Sequence, residues 1–253
     1  MITIPLQSGS NGNCIYVEGG KTGLLFDAGI TGRQAARRLG GYGRDIRRCG
    51  ALIISHDHAD HIRCAGVFSR KFDLPVYATE ATWARAAPEL GPVSNVSFFR
   101  PGDVLHFGEM SVRTVPTPHD GADGVAFVIR CDGAQLGILT DLGHPFRQLR
   151  RLLGELDAAY LESNYDPDML ETGPYPPPLK ARIRGPHGHL SNVEAARLVA
   201  EHVAGRLRWL VLAHLSEFNN RPELAVATHR EIIGSDLPLH VASRYHAGPM
   251  LEI

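Results

Sequence analysis

The sequence predicts an α/β protein in which two sheets, or one folded sheet, are covered by helices on both sides. Three observations lead to this fold class. About a dozen short apolar segments have strand character, amphipathic segments of helical period lie between many of them, and some strands follow one another directly. The strand–helix alternation continues after the Pro-rich segment 173–178, and no internal repeat interrupts it. We therefore expect one domain over residues 1–253.

The predicted strands are apolar, rich in β-branched and aromatic residues, and bounded by Gly, Pro, Asn or Asp. In chain order they are residues 1–6, 14–20, 22–29, 50–55, 74–79, 95–100, 110–116, 124–130, 134–141, 158–163, 208–214, 237–242 and 250–253.

The predicted helices carry recognisable start and stop residues. They are residues 31–40, 61–72, 80–90, 144–156, 191–205 and 221–233. Thr31 is suited to cap the first of them and Gly40 to end it. Pro145 suits the first turn of the fourth. Ser191 and Glu194 have the spacing of a capping box at the start of the fifth.

Composition excludes several classes of protein. The chain has 253 residues, is 43% hydrophobic and 21% charged, and has a formal net charge of -1. A sizeable core is expected, disorder is not, and any basic surface must be local. Neither a signal peptide nor an apolar run of about 20 residues is apparent, and the four cysteines form no CxxC pair. We expect a reduced, cytoplasmic protein without membrane contact.

The stretch "IISHDHADHI", residues 53–62, concentrates metal-binding side chains at the end of a buried strand. His56 and His58 lie two residues apart, so on an extended segment both point to the same side. Asp60 and His61 follow at the start of a helix, where they can turn toward a second point. Imidazole and carboxylate groups suit zinc, iron or manganese. One motif therefore offers two half-sites.

Two half-sites need further ligands, and three candidates follow apolar strands as the first motif does. They are His119 after "MSVRTVPTP", Asp141 after "AQLGILT" and His214 after "RWLVLA". Any one of them alone is more often a solvated strand-end residue or a satisfied core histidine. Polar ligands at four strand ends favour a site that binds two divalent metal ions.

The order HxHxDH, a later His, an Asp in "TD" and a His after a strand resembles the metallo-β-lactamase superfamily across nearly the whole chain. The resemblance implies an αββα four-layer sandwich with the metals in a cleft at one edge of the sheets. It also implies a ligand assignment: His56, His58 and His119 for one ion, Asp60, His61 and His214 for the other, and Asp141 as the bridge.

Further motifs resemble the WalJ/YycJ-like branch of that superfamily. They are "SGSNGNCIYV" at 8–17, "ESNYD" at 162–166 and "GHLSN" at 188–192. The bridging Asp141 is unlike the true β-lactamases and is similar to the glyoxalase II, phosphodiesterase and nuclease branches. "GHLSN" also resembles the histidine–serine loop of tRNA 3′-processing endonucleases. The resemblance implies an exonuclease-like hydrolase whose substrate is DNA rather than RNA.

Candidate substrate contacts come partly from the residues and partly from this resemblance. The turn from Gly9 to Gly12 could offer backbone N–H groups to a phosphate, although an ordinary hairpin turn is the alternative. His189 lies just before a capped helix N-terminus, which favours an anion, although without the resemblance a plain surface histidine beside a cap is the favoured reading. The predicted contacts are Ser8, Ser10, Asn13, Asn164, Lys180, Arg182, Ser191 and Asn192.

Residues 163–190 are predicted to form a long Pro/Gly-rich loop. On an extended loop, the alternate spacing of Lys180, Arg182 and Arg184 would put three positive charges on one side, where they could follow a phosphate backbone. A solvated loop is the alternative reading of these charges.

The first functional hypothesis is a dinuclear phosphodiesterase, specifically a nuclease. Asp141 would bridge the ions, and a hydroxide shared by them would attack phosphorus. Asp60 would orient or deprotonate the attacking water, and His189 would protonate the leaving oxygen or clamp the phosphate. The alternatives are a thioester (glyoxalase II-like) or lactam hydrolase with the same metals, and a metal-binding scaffold without turnover. The sequence does not predict an oligomeric state.

Overall fold

The computed structural model describes residues 1–203 and 205–253 and contains two seven-stranded mixed sheets packed face to face. The strands are β1 Ile2–Gln7, β2 Cys14–Gly19, β3 Thr22–Phe26, β4 Cys49–Ile53, β5 Val76–Thr79, β6 Val96–Phe99, β7 Val104–Phe107, β8 Met110–Pro116, β9 Val125–Cys131, β10 Ala134–Leu139, β11 Ala158–Glu162, β12 Trp209–Ala213, β13 Leu239–Val241 and β14 Leu251–Glu252. The α-helices are α1 Gly32–Gly40, α2 Ala59–Ile62, α3 Ala65–Phe72, α4 Glu80–Leu90, α5 Arg147–Leu153, α6 Pro167–Thr172, α7 Pro177–Arg184, α8 Asn192–His202 and α9 Pro222–Ile233.

Strand direction determines where the functional loops meet. The first sheet has the order β14-β1-β2-β3-β4-β5-β6, and the second has the order β13-β12-β11-β10-β9-β8-β7. Strands β3 to β6 are parallel to one another, as are β10 to β13. Each run brings the carboxyl ends of its strands to one edge of its sheet. The amide of Val125 donates to Ser55 O at 3.1 Å and joins the two edges.

The core between the sheets is apolar, and the alternation along β9 shows how it is built. Val125, Phe127 and Ile129 face the opposite sheet, whereas Ala126 and Val128 face the helices that cover the second sheet. The ring of Phe127 lies 5.0 Å from that of Phe26 on the first sheet. Both faces of the strand are therefore buried.

Helices cover the outer face of each sheet, which confirms the αββα four-layer architecture. Side chains of α1, α3 and α4 pack on the first sheet, as Leu39, Phe68 and Leu90 illustrate. Side chains of α5, α8 and α9 pack on the second, as Leu152 and Leu198 illustrate. Among the residues described, none of the helices combines the length and the apolar content that crossing a membrane requires.

The caps and first-turn residues predicted at helix starts agree with the structure except at one proline. Thr31 caps α1 in a full capping box, and Ser191 and Glu194 form the predicted box at α8. Pro145 was expected in the first turn of a helix, but α5 begins only after Phe146, its N-cap.

Several element boundaries differ from the sequence prediction. The predicted helix 61–72 is divided into α2 and α3. The short strand β7 was not predicted, because only four residues alternate there. The helix predicted over 191–205 ends at His202, and Ala204 lies outside the described residues.

The predicted loop 163–190 is wrong in one respect, because it contains the two helices α6 and α7. Asp166 caps α6 by accepting from the amide of Met169 at 2.9 Å. Pro167 and Pro177 occupy the first turns of the two helices, where a missing N–H costs nothing. The prolines therefore start helices here instead of excluding them.

Candidate metal centre

The motif after β4 folds as the sequence predicts. His58 is the N-cap of α2, and Asp60 and His61 lie in that helix. His56 and His61 are fully buried, and their rings are 4.2 Å apart. Burial lowers the pKa of His56 well below its ordinary value, which keeps the imidazole neutral and able to bind a metal ion.

Three histidines form the first half of the cluster. His56, His58 and His119 each offer a ring nitrogen, and these nitrogens lie within 4.8 Å of one another. His119 Nδ1 donates to Gly188 O at 2.8 Å, because a carbonyl oxygen only accepts. Its Nε2 faces the cluster and lies 3.2 Å from His58 Nδ1. Such a backbone contact fixes both the tautomer and the ring orientation.

A carboxylate and two histidines form the second half. Asp60, His61 and His214 offer ligand atoms that also lie within 4.8 Å of one another. Asp60 Oδ2 is 3.5 Å from His61 Nε2 and 3.3 Å from His214 Nε2. This group comes from two loops, one after β4 and one after β12.

Asp141 lies between the two halves. Its Oδ2 is 3.3 Å from His61 Nε2, and its Oδ1 is 3.7 Å from His119 Nε2. Burial would raise the pKa of this carboxyl, but the surrounding histidines, His214 first, hold it well below its ordinary value. The carboxylate is therefore ionised and reaches histidines of both groups.

The chemistry of the cluster fits divalent metal ions. Within the described part of the chain, the buried atoms His56 Nε2 and Asp141 Oδ2 have no hydrogen-bond partner. A buried polar atom without a partner costs about 1–3 kcal/mol, and coordination of an ion would remove that cost. The donor set suits zinc, manganese or iron.

Sequence reasoning missed Asp27, which supports the second half. Asp27 Oδ2 accepts from His61 Nδ1 at 2.7 Å, and Oδ1 accepts from the amide of Ser55 at 2.8 Å. This contact leaves His61 Nε2 free to face the cluster. Asp27 follows the apolar strand β3, so the strand-end rule that selected the other residues could have found it.

Glu162, at the end of β11, is the second residue that was missed. It is fully buried, and Oε1 accepts from His189 Nδ1 at 2.7 Å and lies 3.3 Å from His214 Nδ1. The amides of Leu142 and Leu190 donate to Oε2 at 3.1 and 3.0 Å. Burial opposes its ionisation, but His189 and the hydrogen bonds lower the pKa of Glu162 to about 2.

The structure distinguishes the two histidines of the segment before α8. His189 faces the cluster, with its ring 4.8 Å from that of His119 and 5.3 Å from that of His214. His187 is exposed, and its Nδ1 bonds to Pro118 O.

The predicted phosphate contacts at the first turn differ in their exposure to solvent. Ser8 Oγ donates to Asn13 Oδ1 at 3.0 Å and accepts from the amide of His214 at 2.9 Å. Asn13 Nδ2 lies 3.3 Å from Asp60 Oδ2. Both side chains are buried and bond to predicted ligand residues, and their contact with a substrate stays a prediction. Ser10 is exposed and lies 3.2 Å from an Arg244 nitrogen.

Three further predicted contacts are also buried and satisfied internally. Asn164 Nδ2 donates to His214 O at 2.8 Å. Ser191 caps α8, and Asn192 Oδ1 accepts from Ser163 Oγ at 2.6 Å. All three side chains are buried, and their contact with a substrate stays a prediction.

The predicted row of three positive charges on an extended loop does not form, because its residues lie on the helix α7. Lys180 bonds to Glu171 O, and Arg184 pairs with the Glu171 carboxylate at 2.6 Å. Arg182 points elsewhere and pairs with Asp120 Oδ2 at 2.6 Å. Asp120 Oδ1 is 3.4 Å from His58 Nε2, so only Arg182 of the three reaches the rim of the cluster.

The chain is similar to known proteins over most of its length. Residues 8–202 match the sequence profile of the Metallo-beta-lactamase superfamily. The chain is 35% identical over 222 residues to Exodeoxyribonuclease YycJ of Bacillus anthracis, covering 87% of this chain and 84% of that protein. It is 32% identical over 259 residues to Exodeoxyribonuclease WalJ of Streptococcus pneumoniae serotype 2 (strain D39), covering 98% and 96%. Among solved structures, the metallo-beta-lactamase fold protein YhfI from Bacillus subtilis matches with a TM-score of 0.75 at 18% identity over 98% of each chain, and so shares the fold.

Proposed function

This chain belongs to the metallo-β-lactamase superfamily and is a metal-dependent hydrolase, and on that premise we propose that it is a dinuclear phosphodiesterase that cleaves DNA. The observation that carries the proposal is the convergence of seven side chains from three separate loops and the motif after β4, with Asp141 in contact with both groups. The relatives that match most of the chain are named exodeoxyribonucleases, which supports DNA as the substrate.

The proposed ligands follow the two groups described above. His56, His58 and His119 would hold one ion, Asp60, His61 and His214 would hold the other, and Asp141 would bridge them. Two divalent ions in such a site lower the pKa of bound water and neutralise charge on a phosphate group. Asp60 Oδ2 is held by Asn13 and His214, which leaves Oδ1 to accept a proton from the attacking water.

His189 is the proposed general acid. Its Nδ1–H donates to Glu162, so Nε2 is the nitrogen left for a substrate. A protonated Nε2 would donate to the leaving oxygen, which otherwise departs as an unstable alkoxide. Glu162 stabilises the positive charge on the ring until that transfer occurs.

Arg182 is the proposed phosphate contact at the rim. Its guanidinium pairs with Asp120, which itself lies 3.5 Å from His119 Nε2. A phosphate oxygen entering the cleft would compete with Asp120 for the guanidinium N–H groups. Lys180 and Arg184 are not assigned this role, because both bond to Glu171.

The experiment compares the wild-type protein with Asp141→Asn and a matched control, Asp132→Asn. Both aspartates have a left-handed backbone, with φ of 56° and 51°, but Asp132 is exposed on the β9–β10 turn away from the cluster. Metal content is measured by elemental analysis. Activity with added Mn²⁺ or Zn²⁺ is measured on single- and double-stranded DNA, RNA, bis-p-nitrophenyl phosphate and a glutathione thioester.

The expected result is about two ions per wild-type chain and metal-dependent DNA cleavage, both reduced in Asp141→Asn and retained in Asp132→Asn. Thioester cleavage without phosphodiester cleavage would replace the proposal with a thioesterase. Full metal content without any hydrolysis would indicate a metal-binding scaffold.

A further inference from the structure

A groove of about 420 Å³ lies between the segment that follows β12 and the segment that follows β13. Its walls include Ser216, Glu217, Arg244, Tyr245 and His246. The volume falls within the range of small-ligand sites, about 300–1,000 Å³. None of these residues belongs to the metal centre described above.

The groove adjoins the metal centre through the backbone. Leu215 lines it and directly follows the predicted ligand His214. Ser8 joins the two regions, because its amide donates to Ser243 O at 3.0 Å while its hydroxyl accepts from the amide of His214 at 2.9 Å. The groove and the cluster are therefore built on the same two segments of backbone.

Exposed aromatic rings flank the groove. Tyr245 lines the groove and is 63% exposed. Phe218 directly follows the lining residue Glu217 and is 52% exposed. Tyr245 Oη donates to Glu217 at 3.2 Å, so one ring is held against the segment that carries the other. The ring of Tyr175 lies 5.8 Å from that of Phe218 and extends the aromatic surface. Exposed rings along a cleft provide faces on which bases can stack.

The charges of the groove suit a base better than a phosphate. The Arg244 side chain is only 10% exposed and pairs with Glu217 at 2.9 Å, so the positive charge of its guanidinium is neutralised. Its Nε is buried and has no hydrogen-bond partner among the residues that the structure describes. Arg221 and Glu223 also line the groove, so its two arginines are matched by two glutamates. The wall therefore offers hydrogen-bonding groups and aromatic faces without a net positive charge.

We propose that this groove holds an unpaired nucleobase of the strand whose phosphodiester lies at the metal centre. A base is available to the groove only when it is not paired, so the substrate is single-stranded DNA or a frayed end. This inference rests on the proposed function and specifies its substrate.

The test uses Phe218→Ala, Tyr245→Ala and the double variant, with Phe98→Ala as the matched control. Phe98 is 51% exposed on β6 and lies in a different region of the surface. The ratio of kcat/KM on a labelled single strand to kcat/KM on bis-p-nitrophenyl phosphate is measured for each protein. We expect this ratio to fall about 5- to 150-fold for each lost stacking partner, and to stay unchanged in Phe98→Ala. We also expect the wild-type protein to cleave the single strand faster than a blunt duplex.

Three outcomes separate this inference from the proposed function. If the wild-type protein cleaves DNA and the groove variants behave as Phe98→Ala does, the groove inference is wrong and the nuclease stands. A preference for the blunt duplex also overturns it. If the metal-loaded wild-type protein cleaves no phosphodiester, the proposed function fails. Fluorescence anisotropy with a labelled single strand then decides whether the groove binds it, because binding must weaken in the two groove variants.

Discussion

Replacing Glu162 with Gln changes one atom of a buried carboxylate that orients part of the metal centre. In the native protein Oε1 accepts from His189 and from the amide of Asp141 at 3.3 Å, and Oε2 accepts from the amides of Leu142 and Leu190. A glutamine has one oxygen and one NH₂ group. Whichever way the amide turns, its NH₂ group faces donors that the carboxylate had satisfied.

The expected cost follows from these contacts. At least two hydrogen bonds to a charged acceptor are lost, and each contributes about 1.5–3 kcal/mol. Glu162 is fully buried, so water does not replace them. The free energy of unfolding should fall by about 3–6 kcal/mol, which lowers Tm by roughly 6–24 °C in a chain of this size. Because such residues orient ligands, kcat or metal affinity should fall about 10- to 100-fold.

The assay combines thermal unfolding, metal content and turnover of bis-p-nitrophenyl phosphate. Glu201→Gln serves as the control, because Glu201 is exposed on α8 and removing its charge should leave all three values unchanged. A Glu162→Gln protein that unfolds at the wild-type temperature and turns over at the wild-type rate would refute the assignment. It would mean that His189 and the neighbouring amides do not depend on this carboxylate.

Three further predictions concern single side chains. His189→Ala should lower kcat about 10²- to 10⁴-fold by removing the general acid while leaving the metal content intact, and loss of metal in elemental analysis would make His189 a ligand instead. Arg182→Ala should raise KM for DNA by about 5- to 150-fold through loss of a charge-assisted phosphate contact. Arg184→Ala on the same helix should leave KM unchanged. Equal changes in the KM of the two variants, measured by steady-state kinetics, would contradict the assignment. His229 is buried, and burial lowers its pKa to about 4. As the pH falls, the imidazole of His229 is therefore protonated in the unfolded chain before it is protonated in the folded protein. The part of the free energy of unfolding that this residue contributes above pH 6.5 is lost as the pH falls toward 4. Between pH 7.5 and 5, the free energy of unfolding measured with urea should fall by about 2 kcal/mol more in the wild-type protein than in His229→Gln. Identical decreases in the two proteins would exclude this residue as the cause.

The cluster of histidines and aspartates was predictable because most of its members share one local rule. His56, His119, Asp141 and His214 each lie just beyond an apolar strand, and strand ends can be read from the sequence. The strand order that brings those ends together cannot be read in the same way, since it depends on pairing between distant segments. The match of motif order to a known family supplied that missing information.

The supporting residues were harder to predict because their roles depend on burial. Ser8, Asn13 and Asn192 have the side chains of surface donors, and nothing local indicates that each is enclosed by other polar groups. Asp27 and Glu162 hold histidines that lie 34 and 27 residues away in the chain. Such contacts become visible only when the edges of both sheets have been assembled.

The helices α6 and α7 were missed for a different reason. Their segment is rich in Pro and Gly, and composition alone favours a loop. Pro167 and Pro177 stand at helix starts, where the fixed φ of proline is already helical. The consequence is functional, because a helix turns Arg182 toward Asp120 while Lys180 and Arg184 turn toward Glu171.

Three of the six non-glycine residues with positive φ in the described part of the chain lie where strands deliver these side chains. Asp27, Asp141 and His214 have positive φ values of 63°, 56° and 55°, and each follows a strand whose next residues turn away from the sheet. A non-glycine residue in this conformation costs about 1–3 kcal/mol, which the surrounding hydrogen bonds must offset. The same turn directs each side chain across the end of its strand toward the neighbouring loops. At these three residues the strained turn accompanies the delivery of a side chain to the cluster, and the contacts of Asp27 and Glu162 are among those that stabilise it.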